Sequence, residues 1–139
     1  MIVYNLIVIF DESLEKILLC KRKKDPYKGL YNFIGGKKEL GESSIDAAYR
    51  EMEEESNLTR EDVKLVHLMD FDYIVDHCKV EVYVGNRVSN KKVFGDENEL
   101  FWSSLDHDFF DSNIYAGEGN MGHILWHVKM SKDILFSKK

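Results

Sequence analysis

Four glutamates crowd into five positions, Glu51, Glu53, Glu54 and Glu55, directly after Arg50. If residues 44–57 are helical, Glu51, Glu54 and Glu55 stand at i, i+3 and i+4 and share one face. Carboxylates at a helix C-terminus oppose the macrodipole, at a cost of about 0.3–1 kcal/mol each. Three so close together cannot all stay ionised cheaply. A hard divalent cation with oxygen ligands resolves the conflict, and Mg²⁺ or Mn²⁺ suits such a cluster. Arg50 lies one turn before Glu54 and adjoins Glu51, so its guanidinium can orient one carboxylate while metal holds the others. Upstream, Gly35-Gly36 brings bare backbone carbonyls close, another hard ligand, and lets a substrate approach the chain. The competing reading is a solvated acidic face that merely ends a helix.

The elements that must position these residues follow from hydrophobic pattern and turn chemistry. Residues 2–10 are apolar and β-rich, a first strand. After the turn DESLE, residues 16–22 (KILLCKR) form a second, so the pair reads as a hairpin. KKDPYKG is a loop with the only proline, and residues 31–34 are a short strand ending at Gly35-Gly36. Ser43 or Ser44 caps the glutamate helix, and Ser43 with Asp46 resembles a capping box. Asn57 falls where a helix ends in the left-handed conformation, which Asn tolerates. Ile45, Ala48, Tyr49 and Met52 form its buried face. Residues 63–75 and 79–88 predict two long strands joined by a turn at Asp76-His77-Cys78. The second alternates, Val80, Val82 and Val84 against Glu81 and Tyr83. Residues 89–100 read as a polar loop, Phe101-Trp102 as a short strand and 104–110 as a short helical turn. A glycine-rich loop, YAGEGN, leads into a second helix over 121–131 with Ile124, Leu125 and Val128 on one face. Ser137-Lys138-Lys139 reads as a polar tail. Strands before, between and after two helices predict an α/β sandwich, a mixed sheet between helical layers.

At 139 residues the chain fits one domain, 1–139, that buries its own core. A net charge of −6 argues against polymeric nucleic acid and membrane surfaces as partners, but not against a phosphorylated small molecule held through metal. No stretch approaches the length of a membrane span, and the apolar N-terminal run lacks a basic flank and a cleavage site. Cys20 and Cys78 show no metal-ligand spacing and read as reduced thiols of a cytoplasmic protein.

The stretch from Gly36 to Leu58 resembles the Nudix box, G-x5-E-x7-R-E-U-x-E-E-x-G-U, with U a bulky aliphatic residue. Gly36 opens it, Glu42 follows after five residues, and Arg50-Glu51 after seven more. Then come Met52, Glu53, Glu54-Glu55, Ser56, Asn57 and Leu58. Only Asn57 departs, standing where the family has Gly, and both residues reach the left-handed conformation. Lys21-Arg22, the YNFIGGK approach and the opening hairpin extend the resemblance more loosely, with Ile34 where many relatives have Pro. The resemblance implies a Nudix-type α/β/α sandwich and Mg²⁺- or Mn²⁺-dependent hydrolysis of a nucleoside diphosphate linked to another moiety. By family position Glu54 and Glu55 are the main metal ligands, joined by the Gly35 carbonyl. Glu51 is a ligand or the general base, oriented by Arg50, and Glu42 contributes more weakly. A further acid comes from Asp96-Glu97-Asn98-Glu99, with Glu97 favoured. Dimers are frequent in the family, which makes a homodimer one expectation.

The box fixes the reaction and leaves the substrate to the loops around it. The downstream proline of many ADP-ribose hydrolases and the SQPWPFPxS array of NADH hydrolases are absent. Tyr73 stands near the position of a tyrosine found in some diadenosine polyphosphate hydrolases. Asn120 resembles the asparagine with which MutT-type members read a guanine edge. An amide offers donor and acceptor together, though a plain helix cap explains Asn120 equally. Arg22 or Lys23 suits a phosphate, and Trp102, Phe33 or Tyr31 a base. His123 and His127, at i and i+4, lack a nearby third ligand and read as an ordinary pair. The expectation is hydrolysis of a nucleoside triphosphate, with oxidised dGTP as one candidate, to monophosphate and pyrophosphate. The alternatives are a dinucleoside polyphosphate or nucleotide sugar as substrate, and a non-catalytic nucleotide sensor.

Overall fold

The computed structural model of the chain describes residues 1–95 and 97–136; Asp96 and the tail Ser137-Lys138-Lys139 lie outside the described residues. Among the described residues six strands and three helices follow in the order β1 (Ile2–Phe10), β2 (Lys16–Lys21), β3 (Tyr31–Asn32), α1 (Ser44–Ser56), β4 (Val66–Tyr73), β5 (Cys78–Asn86), β6 (Glu99–Ser104), α2 (Asn120–Met130) and α3 (Lys132–Leu135). The sheet is mixed. β1 runs parallel to β5 from Ile2–Cys78 to Phe10–Asn86, β4 lies antiparallel on β5, and β6 lies antiparallel on β2.

The expected hairpin closes only at its tip. Phe10 pairs with Ile17, and the Asp11 carboxylate accepts from the Glu15 and Lys16 amides. Below that point β2 leaves β1, and the segment after β3 takes the vacated edge, with bridges Ile7–Ile34 and Tyr4–Lys37. This fork lays Gly35-Gly36 against the middle of β1.

Both faces of β1 are covered, which is why IVIF is apolar without alternation. Ile7 and Ile9, with Leu18, Cys20, Ile34 and Tyr83, pack on Ala48 and Met52 of α1. Val8 and Phe10, with Ile17, Leu19, Val82 and Val84, pack on Met121, Ile124 and Val128 of α2. Each fully buried aliphatic side chain contributes about 1.5–3 kcal/mol. The result is the expected sandwich, helix on either side of a mixed sheet. No helix among the described residues is long and apolar enough to cross a membrane.

Three local expectations fail for identifiable reasons. Residues 104–110 are not helical: β6 extends to Ser104, and the Asp108 carboxylate accepts from the Phe110 amide, an aspartate turn that competes with helix. The strand expected from Val63 starts at Val66, because the Leu65 amide donates to the Tyr49 hydroxyl (2.8 Å) rather than to a neighbouring strand. Cys78 belongs to β5, and the turn occupies residues 74–77 instead. The short α3 was not expected from the sequence; Phe136 after it meets the Phe10 ring edge-on at 5.5 Å.

Candidate active site

Helix α1 is capped as its sequence suggests. The Ser43 hydroxyl accepts from the Asp46 amide at 3.3 Å, but the Asp46 carboxylate pairs with Arg60, so the capping box is half formed. At the other end Asn57 sits at φ 69°, and its amide donates to the Glu53 carbonyl. The loop before β6 docks on this end: the Phe94 amide donates to the Ser56 carbonyl at 3.2 Å, and a Cβ on Gly95 would fall on the Glu55 carbonyl. Carbonyls left open by the helix end thus draw in the segment that carries Glu97.

Arg50 is the hub of the acidic cluster. Its Nε and Nη2 donate to the two oxygens of Glu42 at 3.1 and 2.8 Å, a bidentate pair. Nη1 donates to Glu51 at 2.8 Å and to Glu54 at 3.2 Å, and Nη2 also reaches the Lys37 carbonyl at 3.0 Å. The guanidinium, with help from the Glu39 amide, holds the Glu42 carboxyl down at about 2. The Arg50 guanidinium is itself pushed further up, chiefly by Glu42.

Gly35 and Gly36 are glycines because neighbours occupy the space of a side chain. A Cβ on Gly36 would strike the Glu51 carboxylate, and one on Gly35 would strike the Asn5 carbonyl oxygen. Asn5 brackets the loop: its amide donates to the Gly36 carbonyl (2.8 Å), and its side-chain oxygen accepts from the Gly36 amide (3.0 Å). Asn5 is 3% exposed, a polar side chain whose burial is compensated by that bond. Sequence reading missed it, although it is the lone amide in an otherwise apolar strand.

Gly35, Gly36, Glu51, Glu54, Glu55, Glu97 and Arg22 line one cavity of about 670 Å³. Burial raises the Glu55 carboxyl to about 7, with the charges of Glu51 and Glu97 adding to it and Arg22 opposing. Burial also raises Glu51, against the pull of Arg50. Among the described residues no three acidic, histidine or cysteine side chains already converge at ligand distance, since Glu51 and Glu54 are turned onto Arg50. The donor chemistry still fits a hard divalent cation: four carboxylates and a glycine backbone face one space, and mutual repulsion disfavours their full ionisation.

The remaining expected residues are dispersed. Glu42 lies behind Arg50 and lines neither this cavity nor its neighbour, so its contact is with the guanidinium rather than with the substrate space. Arg22 lines both cavities and ties its Nε to the Pro26 carbonyl at 2.7 Å. Asn120 is not a helix cap. Gly119 holds that position, and the Asn120 amide nitrogen donates to the Tyr73 hydroxyl at 2.6 Å. It lines a second cavity, of about 480 Å³, with Phe33, Tyr73 and Met121. Trp102 and Tyr31 are taken up elsewhere, Trp102 beneath Arg87 and Tyr31 beside Phe101. His123 and His127 contact each other on α2, their Nε2 atoms 3.2 Å apart. An open groove of about 700 Å³ on the outer side of α1 reaches Arg50 and Glu54 from behind but lacks the glycine loop.

Comparison with known proteins bears on the family and the fold. The family model described as NUDIX domain matches residues 3–108. An ADP-ribose pyrophosphatase of Methanocaldococcus jannaschii is 31% identical over 109 residues, 70% of this chain and 64% of that protein, so the chain spans under two thirds of that relative. An oxidised purine nucleoside triphosphate hydrolase of Danio rerio is 28% identical over 117 residues, 83% of this chain and 71% of that protein. Among solved structures, a C. elegans Ap4A hydrolase superposes with a TM-score of 0.75 at 20% identity, covering 94% of this chain and 96% of that one. At that identity the likeness speaks for the fold. The family match over most of the chain, on a sandwich that brings Glu51, Glu54 and Glu55 to one cavity, means that this chain belongs to the Nudix family.

Proposed function

We propose that the protein hydrolyses the pyrophosphate linkage of a nucleoside triphosphate, giving nucleoside monophosphate and pyrophosphate. One observation carries the reading: the cavity holding Glu51, Glu54, Glu55 and Glu97 opens past Gly35-Gly36 into a second cavity with aromatic and amide side chains. A nucleoside fits the second while its phosphates reach the first. Glu54 and Glu55, with the Gly35 backbone and Glu97, would hold the cation. Bound there, Mg²⁺ or Mn²⁺ would supply charge neutralisation on the phosphates and a more acidic water. Glu51, half-buried and fixed by Arg50, accepts a proton from the attacking water. The water oxygen bonds to phosphorus as the bridging P–O bond breaks, and pyrophosphate leaves. Glu42 keeps Arg50 in place from behind, and Arg22 meets a phosphate at the junction of the cavities. Asn120, its nitrogen engaged by Tyr73, offers its carbonyl oxygen to a donor on the base edge.

A second reading, a diphosphate joined to a sugar, draws on the name of the archaeal relative, an ADP-ribose pyrophosphatase. A panel of nucleoside triphosphates, ADP-ribose and dinucleoside polyphosphates with Mg²⁺, scored by phosphate release with coupled phosphatases, separates the two. Glu54→Gln is expected to lower kcat by about 10²–10⁴ with an unchanged melting temperature. A wild-type rate in that variant would sink the assignment of the reaction to this cavity.

A further inference from the structure

The two joined cavities differ in chemistry. The smaller offers aromatic surface from Phe71 and Tyr73 and the amides of Asn32 and Asn120. The larger is ionic. Apart from Tyr4 and Phe33, which it shares with the smaller cavity, no aromatic ring lines it among the described residues. Only one of the two therefore suits a base.

Beside the glutamates, Arg22, Lys23 and Lys24 also line the larger cavity. Among the described residues none of these three pairs with a carboxylate, although five, Asp25, Glu51, Glu54, Glu55 and Glu97, line the same space. The loop that bears them is fixed at both ends. The Arg22 amide donates to the Leu30 carbonyl, and the Lys23 amide donates to the Asn98 side chain at 3.2 Å. Asn98 follows Glu97, so this bond ties the basic wall to the acidic one. A strip of cations that shares a cavity with carboxylates without forming ion pairs to them is complementary to an anion that metal also holds.

We propose that Lys23 and Lys24 are specificity-determining residues that hold the phosphates beyond the scissile bond, selecting a nucleoside with a terminal polyphosphate over a sugar-linked diphosphate. This rests on the hydrolytic reading above. A terminal phosphate gains charge-assisted hydrogen bonds from both lysines, and a neutral sugar gains none.

The test is the double variant Lys23→Gln/Lys24→Gln in the full chain with saturating Mg²⁺. The ratio of kcat/KM for a nucleoside triphosphate to that for ADP-ribose is expected to fall about 10–100-fold, carried by KM. The wild-type KM for the triphosphate rises with salt, and this slope flattens in the variant. Both side chains are exposed, so the melting temperature stays put. A ratio that does not move, with wild-type turnover intact, overturns the role of the lysines and leaves the hydrolytic reading standing. If the wild type turns over nothing, that reading fails instead. Equilibrium binding then decides the lysines: tighter binding of triphosphate than monophosphate, lost in the variant, supports them, and equal binding overturns them.

Discussion

Single residues set the geometry here, and the two glycines of the loop show how differently neighbours can do so. A methyl on Gly36 meets the end of a glutamate side chain, whereas a methyl on Gly35 meets the backbone of a central strand. Glu51 can swing away at little cost to the fold, but only by leaving Arg50. Gly36→Ala is therefore expected to keep its melting temperature within a few degrees and lose about 100-fold in kcat, the scale of a displacement of about 1 Å at a reacting group. Gly35→Ala should instead destabilise by about 1–3 kcal/mol, because β1 cannot move aside. Thermal melts beside initial rates distinguish the pair, and equal behaviour of the two variants would contradict this geometry. The sequence shows that glycines stand at 35 and 36 but not what fills the space above them. Asn5, which brackets Gly36 from 31 positions away, is legible only as an amide in an apolar run. Its partner depends on the fork in the sheet, a tertiary feature with no local signal.

At the scale of elements, α1 was the most legible part of the chain, since its cap, its apolar stripe and its left-handed end are all local. Asn57 at φ 69° fills the position where the family pattern has Gly. Asn57→Gly should be neutral or mildly stabilising, and Asn57→Ala should lower stability by about 1 kcal/mol, read as a shift in urea midpoint at constant m. Elements that depend on partners were less legible. The start of β4 is set by the Tyr49 hydroxyl taking the Leu65 amide, a contact between α1 and a segment 16 residues on. The hairpin of β1 and β2 was expected along its length, yet β1 gives most of its edge to residues 34–37. Hydrophobic pattern reports that both faces of β1 are buried. It carries no information about which segment occupies each edge, because backbone hydrogen bonding is indifferent to side chain. The same limit hid the second cavity, whose walls come from β1, β4, β5 and α2, and left Lys24 looking like part of a loop, with Lys23 legible only as an alternative to Arg22 for a phosphate.

Across the whole molecule, the site depends on how the connections are fastened, and Asp62 is the main fastener. It lies after α1, 8% exposed, and accepts from the Thr59 amide and hydroxyl at 2.9 and 3.1 Å. From the segment leading to Glu97 it accepts from Ser89 at 2.9 Å and from Lys91 at 3.3 Å, while its own carbonyl takes the Val88 amide. The carboxylate thus joins the end of the glutamate helix to the loop that brings the fourth glutamate. These bonds, the Thr59 amide foremost, hold its carboxyl at about 2. An unfolded aspartate titrates near 3.9, so the unfolded chain binds the proton first as pH falls. The stabilisation is therefore complete above about pH 4 and is lost as pH drops toward 2, an amount on the order of 2 kcal/mol. Asp62→Asn removes it at every pH. Urea midpoints at pH 7 should place the variant well below the wild type, and the gap should narrow between pH 4 and pH 2.5. A gap that stays constant over that range would mean that the charge of Asp62 contributes nothing and only its shape matters. Because the same carboxylate anchors the loop before β6, loosening it should weaken activity at neutral pH as well, by displacing Glu97 from the cavity that Glu55 shares.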